Sequence, residues 1–158
     1  MVNMHVNVFD SCGMIAYIES EEGVEVIDSL LSDRDNFCIA HAINLAEVYK
    51  HYVKHKSVEV ADEVIRVLTS ELGIAPRNDM DEAFWKLAAS NWAKITTTVK
   101  NLDTGGCHHI SMADCFAIAL ANRENGTVVT SDVEFEYVEA AGICSVKFYR
   151  PPGRRYDH

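Results

Sequence analysis

The sequence predicts a single α/β domain built around an open, mostly parallel sheet. Its 158 residues suffice for one domain with its own core and are too few for two domains of ordinary size. Short apolar or β-branched runs alternate with longer amphipathic stretches, as in chains that fold into α/β layers. Residues 114–130 join an apolar helix to an apolar strand through a tight polar turn, which is half of one α/β repeat.

Two strands and four helices are predicted in the first half of the chain. The first strand ends at Asp10, and residues 11–13 form the turn into a helix. Asn44 can cap the helix that carries Glu47 in its first turn. Apolar residues recur every three or four positions in the longer helices. The predicted strands are 6–9 and 37–40, and the predicted helices are 14–19, 24–31, 44–52 and 58–72.

The second half of the chain is predicted to add three helices and two strands. Residues 73–77 break the preceding helix, and Asp79 with Glu82 can cap the next one. A polar loop follows at 96–109, and Gly126 can end the apolar helix in the left-handed region. The predicted helices are 80–95, 114–123 and 136–141, and the predicted strands are 127–130 and 143–148. We expect one domain over residues 1–149 and a basic, flexible tail over 150–158.

Composition narrows the class of protein. The chain is 48% hydrophobic and 24% charged, which excludes a disordered polymer. No apolar run approaches the roughly 20 residues of a membrane span, and the first residues do not resemble a secretory signal. Five cysteines without CxxC spacing are typical of reduced thiols in a cytoplasmic protein. The net charge of −10 opposes binding of nucleic acid by charge alone, so an anionic substrate needs a cation or a local basic patch.

Four carboxylates are predicted to lie at the same edge of the sheet. Asp10 and Asp132 follow the carboxyl ends of strands, whereas Glu47 and Asp114 lie in the first turns of helices. These positions meet at one edge of a parallel sheet. Carboxylates crowded there repel one another and raise each other's pKa, and a hard cation relieves the repulsion. Oxygen ligands suit Mg²⁺ or Mn²⁺, which also bind phosphate oxygens.

Each acid also has an ordinary structural interpretation. Ser111 with Asp114, and Asn44 with Glu47, both match the spacing of a capping box, in which the acid serves only the helix start. Asp10 and Asp132 match turn residues. The four together are hard to explain by caps and turns, because uncharged Asn or Ser would serve stability better at several of these positions.

Four segments of the sequence resemble conserved motifs of the PIN-domain ribonucleases, most closely the small single-domain toxins of the VapC type. They are VNVFDSCGMIAYI from residue 6, INLAEVY from 43, ISMADCFAIALA from 110, and TVVTSDVEF from 127. The resemblance implies a three-layer α/β/α sandwich with a central parallel sheet. It also implies that a set of acids holds or surrounds the metal, with two hydroxyls nearby. That set is Asp10, Glu47, Asp114 and Asp132, with Ser11 and Thr130.

The function that this resemblance implies is a Mg²⁺- or Mn²⁺-dependent endoribonuclease that hydrolyses RNA with a metal-activated water. It further implies a homodimer and a cognate antitoxin protein that occupies the acidic groove. A catalytically idle PIN-like module that binds protein or RNA is the alternative. A phosphotransferase with Asp10 as nucleophile ranks last, because it would need a second acid where the chain has Cys12.

Several residues near the acids have open roles. Lys50 and Lys54 share the helical face of Glu47 and can guide RNA or merely face solvent. The arginines of the tail allow the same two interpretations. His41 stands where the family commonly has Ser or Thr, and Glu134 is an additional acid of open role. A zinc site at His108 and His109 is weakly indicated. Trp85, Trp92 and Tyr49 are expected in the core or an interface.

Overall fold

A computed structural model describes residues 3–101 and 110–153. One sheet of five parallel strands lies at its centre, in the order β3-β2-β1-β4-β5. The chain forms β1, β2 and β3 in succession toward one edge of the sheet, and β4 and β5 then lie on the other side of β1. The topological switch point is therefore between β1 and β4. The strands are β1 (His5–Phe9), β2 (Asn36–His41), β3 (Ala75–Arg77), β4 (Thr127–Asp132) and β5 (Ser145–Gly153).

Helices cover both faces of this sheet. The helices are α1 (Ser11–Ile18), α2 (Val24–Ser32), α3 (Ala42–His55), α4 (Val58–Arg66), α5 (Glu82–Asn101), α6 (Met112–Glu124) and α7 (Glu134–Ala140). The buried residues of α1 to α4 pack against one face, and those of α5 to α7 pack against the other. The predicted three-layer α/β/α sandwich is therefore confirmed.

Successive residues of the central strands supply the two cores. Val8 and Val128 belong to the core under α5 to α7, whereas Phe9 and Val129 belong to the core under α1 to α4. All four are fully buried. A strand that is covered on both faces has no solvent side, which explains why β4 is apolar without alternation. In α6 the nine residues from Ala113 to Ala121 are buried, as its composition predicted.

Several predicted boundaries were wrong. β3 was not predicted, since residues 73–77 were expected only to break the preceding helix and three residues around Pro76 give almost no strand signal. The strand lies at the sheet edge, where proline is tolerated. α5 continues to Asn101 instead of ending at residue 95. The predicted helix 58–72 is α-helical only to Arg66 and continues as a π-helical turn, Val67–Glu71. β5 continues to Gly153, so residues 150–153 of the expected tail are strand, and 154–158 lie outside the described residues.

In the turn after α6, the residue in the left-handed conformation is not the predicted one. Asn125, not Gly126, has the positive φ of 50°. Gly126 is needed for another reason: a Cβ there would lie 2.8 Å from the carbonyl oxygen of Val6. The helix end and β1 thus approach too closely for any side chain at this position.

The start and outer face of α5 also differ from expectation. Asp81, not Asp79, accepts a hydrogen bond from the Phe84 amide (3.1 Å) at the helix start. Trp85 and Trp92 are 46% and 41% exposed, so they are not core residues. No described helix combines the length and apolar character needed to cross a membrane.

Candidate metal centre

Asp10 and Asp132 are brought together by adjacent strands. β1 pairs with β4 so that Phe9 lies opposite Val129, and the Asp10 amide donates to the Val129 carbonyl at 3.5 Å. Asp10 is also the N-cap of α1, where Oδ1 accepts a hydrogen bond from the Gly13 amide (2.8 Å). Asp132 is the last residue of β4. The switch point thus lies between two aspartates at the carboxyl ends of their strands.

The end of β4 is irregular in a way that orients Asp132. Pairing with β5 shifts register between Thr130 and Asp132. The Asp132 amide donates to the Thr130 hydroxyl at 3.1 Å, and Ser131 hydrogen-bonds the buried hydroxyl of Tyr149 at 2.9 Å. Thr130 is fully buried. The predicted hydroxyl of Thr130 therefore contacts the backbone of the acid, where it fixes the acid's position.

A cysteine completes the cluster that the two aspartates begin. Among the described residues, Asp10, Cys12 and Asp132 form a group whose ligand-capable atoms all lie within 4.8 Å of one another. Cys12 lies in the first turn of α1, and its Sγ is 3.6 Å and 3.7 Å from the two carboxylate oxygens of Asp132. These three residues could hold one metal ion.

The Asp10 carboxylate is buried at an electrostatic cost. Its pKa is raised well above the ordinary value, chiefly by burial and next by the charge of Asp132, with a smaller contribution from Asp114. The Thr130 hydroxyl and the Gly13 amide favour the charged form and offset this only in part. Oδ2 of Asp10 is buried and has no partner at hydrogen-bonding geometry. A buried carboxylate oxygen without a partner is unfavourable, so these residues fit a bound divalent cation.

Glu47 reaches the cluster through Ser11. The Ser11 hydroxyl donates to Glu47 Oε2 at 2.9 Å and so joins the first residue of α1 to the second turn of α3. The expected capping box of Asn44 and Glu47 is wrong, because α3 begins two residues earlier with His41 as its N-cap. Glu47 therefore does not cap α3, and it accepts the hydrogen bond from Ser11 beside Asp10.

Asp114 has the capping role that the sequence allowed, and it also lies near Asp10. It forms a capping box with Ser111: Oδ2 accepts from the Ser111 amide (2.9 Å) and hydroxyl (2.7 Å), and the Asp114 amide donates to the Ser111 hydroxyl (3.1 Å). The side chain is buried, and its charge contributes to the raised pKa of Asp10. Asp114 therefore lies beside the Asp10–Cys12–Asp132 cluster while it caps α6.

His41 and Glu134 received no role from the sequence. His41 is buried against the rings of Phe84 and Phe116, whose centroids lie 5.3 Å and 5.0 Å from its own. Its Nδ1 accepts from the Ile43 amide, so Nε2 is the nitrogen that donates to the Asp79 carbonyl (2.8 Å). His41 is a helix cap with both nitrogens engaged. Glu134 begins α7, is 9% exposed, and has a buried Oε2 without a hydrogen-bond partner.

The basic residues divide into paired and unpaired sets. Arg150, considered above as an RNA contact, is largely buried and pairs with Glu21 at 2.7 Å. Lys50, Lys54 and Lys56 are exposed and form no ion pair with any described residue. They extend from the helix that bears Glu47. His108, His109, Arg154 and Arg155 lie outside the described residues.

Sequence reasoning missed two residues beside the acids. Cys12 was interpreted as a reduced thiol and as evidence against a phosphotransferase, not as a metal ligand, although its place two residues after a strand-end aspartate was a usable signal. Asn44 was assigned to a cap; it is instead fully buried and donates to the Ala113 carbonyl (3.3 Å), which ties α3 to the first turn of α6. Nothing local in the sequence indicates that contact, since 69 residues separate the partners.

Comparison with known proteins gives one family and several similar folds. The PIN domain matches residues 8–141. The VapBC-1 structure from nontypeable Haemophilus influenzae is similar at 16% identity and a TM-score of 0.63, covering 91% of this chain and 98% of that one. VapBC2 from Rickettsia felis, bound to a promoter DNA fragment, gives 15% identity, a TM-score of 0.63, and coverage of 90% and 98%.

A third solved structure is VapC20 of Mycobacterium tuberculosis, described as a toxin that cleaves the sarcin–ricin loop. It is similar at 9% identity and a TM-score of 0.59, and the match covers 85% of this chain and 94% of that one. Identities this low establish the shared fold alone. No curated protein matches the sequence.

Proposed function

Because the chain belongs to the PIN-domain family, we propose that it is a Mg²⁺- or Mn²⁺-dependent endoribonuclease and the toxin of a toxin–antitoxin pair. The observation on which the proposal chiefly rests is the buried Asp10 carboxylate. Its Oδ2 has no hydrogen-bond partner, and among neighbouring charges the one that raises its pKa most is another carboxylate, that of Asp132. An arrangement that destabilises the metal-free protein is expected where a cation has to be held.

The proposed ligands are Asp10 and Asp132, with Glu47 and Asp114 as further acids at the site. Ser11 holds the Glu47 carboxylate, and Thr130 fixes the backbone of Asp132. A bound Mg²⁺ or Mn²⁺ would neutralise charge on the phosphodiester and lower the pKa of a water molecule. The catalytic set is therefore Asp10, Glu47, Asp114 and Asp132, with Ser11 and Thr130 positioning two of its members.

RNA has a plausible approach along α3. Lys50 lies three residues and Lys54 seven residues after Glu47, so all three share one face of the helix. Both lysines are exposed and unpaired within the described chain, and Lys56 follows at the end of the helix. In a protein of net charge −10, these cations can attract the RNA backbone to a site that would otherwise repel it.

The proposed partners follow from the similar structures. Two of those described above are VapBC assemblies, one of them on promoter DNA. We infer a cognate antitoxin for this chain, a homodimeric state and a cytoplasmic location. Size-exclusion chromatography with light scattering tests the dimer, and co-purification with the product of an adjacent small reading frame tests the antitoxin.

The test of the activity is cleavage of a mixed RNA substrate by the full chain under controlled cation supply. We expect cleavage with Mn²⁺ or Mg²⁺, loss in excess chelator, and no recovery with Ca²⁺, which takes looser coordination. Asp10→Asn keeps the helix cap, because Asn caps as well as Asp, and should lower the rate by at least about 100-fold.

Two other results would contradict the proposal. Cleavage that persists in excess chelator would exclude a metal mechanism and direct attention to the histidines of the chain. Binding of Mn²⁺ and RNA without cleavage under any cation would instead favour the catalytically idle binding module.

A further inference from the structure

The donor set at the switch point is not the all-oxygen set that Mg²⁺ prefers. One of its three members is the thiol of Cys12, whose Sγ lies 3.6 Å from Asp132 Oδ1. Hard cations such as Mg²⁺ and Ca²⁺ take oxygen ligands, whereas thiolates select Zn²⁺ and other soft or borderline ions. The identity of the third donor therefore bears on which ion the site binds most tightly.

The spacing of these donors suits a small tetrahedral ion. With metal–sulfur and metal–oxygen distances of about 2.3 Å and 2.1 Å, two ligands of one tetrahedral zinc lie roughly 3.6 Å apart. The measured distances from Cys12 Sγ to the Asp132 oxygens, 3.6 Å and 3.7 Å, match that edge. Three protein donors leave the fourth tetrahedral position for water.

Two further observations favour a ligand at this cluster. Asp10 is 1% exposed, and its Oδ2 has no hydrogen-bond partner, so the site contains a buried anionic oxygen that an ion would satisfy. Cys12 itself is half-buried, unlike Cys38 and Cys115, which are core residues with pKa values raised by burial to about 11 and about 12. The Cys12 thiol lies at hydrogen-bonding distance from the Asp132 carboxylate.

We propose that Asp10, Cys12 and Asp132 bind a thiophilic divalent cation of the zinc class, in competition with Mg²⁺. The Cys12 thiol releases its proton to solvent as the sulfur–metal bond forms. Zinc bound in this way would hold the ligands that Mg²⁺ needs, so it would inhibit the nuclease. The inference rests on the proposed metal site and not on RNA cleavage, and its test does not require activity.

Cadmium is the probe, because thiolate ligation to Cd²⁺ gives a charge-transfer absorption band in the ultraviolet. We expect the metal-free full chain to develop this band with one Cd²⁺ per chain. Cys12→Ser should abolish the band and weaken Cd²⁺ binding by at least about tenfold. Cys144→Ser is the matched control, since that thiol is also half-buried but lies outside the cluster, just before β5, and it should keep the band.

A second measurement needs no variant. Bound Zn²⁺ should slow alkylation of Cys12, read by peptide mass spectrometry, while alkylation of Cys107 and Cys144 serves as the internal reference. A wild-type chain that binds Mn²⁺ but shows neither the cadmium band nor protection of Cys12 would overturn this inference and leave the proposed function standing. A chain that binds neither ion would overturn both.

Discussion

Two pairs of aspartates in this molecule sit in opposite electrostatic surroundings. Asp10 and Asp132 lie at the carboxyl ends of β1 and β4, and carboxylate oxygens of the two lie within 4.8 Å of each other. Asp79 and Asp81 lie just before α5, between two arginines. Arg77 binds Asp79 through Nε (2.9 Å) and Nη2 (3.0 Å), and Arg123 bridges Asp79 (3.0 Å) and Asp81 (2.8 Å).

The pKa shift of Asp10 is opposite in sign to those of Asp79 and Asp81. Burial raises the pKa of Asp10, and Asp132 raises it further. Burial also acts to raise the pKa of Asp79, but hydrogen bonds from Arg77 and Arg123 outweigh it and hold that pKa below its usual range. The Asp81 pKa is lowered as well, first by its hydrogen bond with Arg123.

The two pairs differ in how their negative charge is offset. The arginine-bound aspartates are compensated within the fold and tie the start of α5 to the end of α6. The neighbouring charges that shift the pKa of Asp10 are those of two carboxylates, Asp132 and Asp114, and we propose that a bound cation offsets them. Four predictions, from the largest expected effect to the smallest, test this contrast.

Cation affinity should separate the two pairs most strongly. Asp132→Asn should weaken Mn²⁺ binding by about 100-fold or more, because loss even of an outer partner of a metal ligand commonly costs 10–100-fold. Asp79→Asn removes the same charge from an equally acidic protein and should change the affinity by less than about threefold. Isothermal titration calorimetry measures both. Equal losses in the two variants would mean that net charge, and not a site, binds the ion.

Stability in excess chelator should change in opposite directions. Asp79→Asn should lower the free energy of unfolding by about 1–3 kcal/mol, since it leaves two partly buried guanidinium groups short of a carboxylate. Asp10→Asn keeps the cap of α1 and removes repulsion, so it should raise stability by about 0.5–2 kcal/mol. Urea unfolding near neutral pH compares them. A destabilised Asp10→Asn protein would assign that carboxylate to the fold.

The pH dependence of stability should also have opposite signs. The folded pKa of Asp10 is raised, so its favourable contribution is complete below the unfolded value near 3.9 and is lost as pH rises through the folded value. The Asp79 contribution is present above about 3.9 and is lost as pH falls through the lowered folded value.

These slopes are measured in chelator as the unfolding free energy of the wild type minus that of each variant, at a series of pH values. The difference for Asp10→Asn should fall by up to about 1.4 kcal/mol per pH unit as pH rises above 4. The difference for Asp79→Asn should shrink as pH falls below 4. If the free-energy differences of the two variants changed in the same direction with pH, the proposed difference between Asp10 and Asp79 would be wrong.

Asp114→Asn should change stability least, because Asp114 both stabilises the start of α6 and is repelled by Asp10. Asn retains one acceptor for the Ser111 amide but is a poorer complement to the helix dipole, at about 0.3–1 kcal/mol. Relief of repulsion with Asp10 acts in the other direction. We expect a net change within about 0.5 kcal/mol in thermal melts with chelator. Ser111→Ala is the control, since it breaks only the capping box and should destabilise by about 0.5–2 kcal/mol.

The sequence by itself determined the architecture and most of the site. The burial of α6 and the apolar character of β4 follow from composition alone, because a layer that is covered on all sides must be apolar throughout. Asp10 and Asp132 could be placed together from the strand-end rule, since parallel strands present their carboxyl ends at one edge. The capping box of Ser111 and Asp114 is local, and it too could be read from spacing.

Only the tertiary structure decided which acids are compensated. Asp79 and Asp10 are the same residue type, and the arginine that separates their behaviour, Arg123, lies 44 residues from Asp79 along the chain. The same holds for the thiol of Cys12 against Asp132, 120 residues away, and for Ser11 against Glu47. Electrostatic energy depends on distance and burial in space, and neither is encoded in the spacing of residues along one segment.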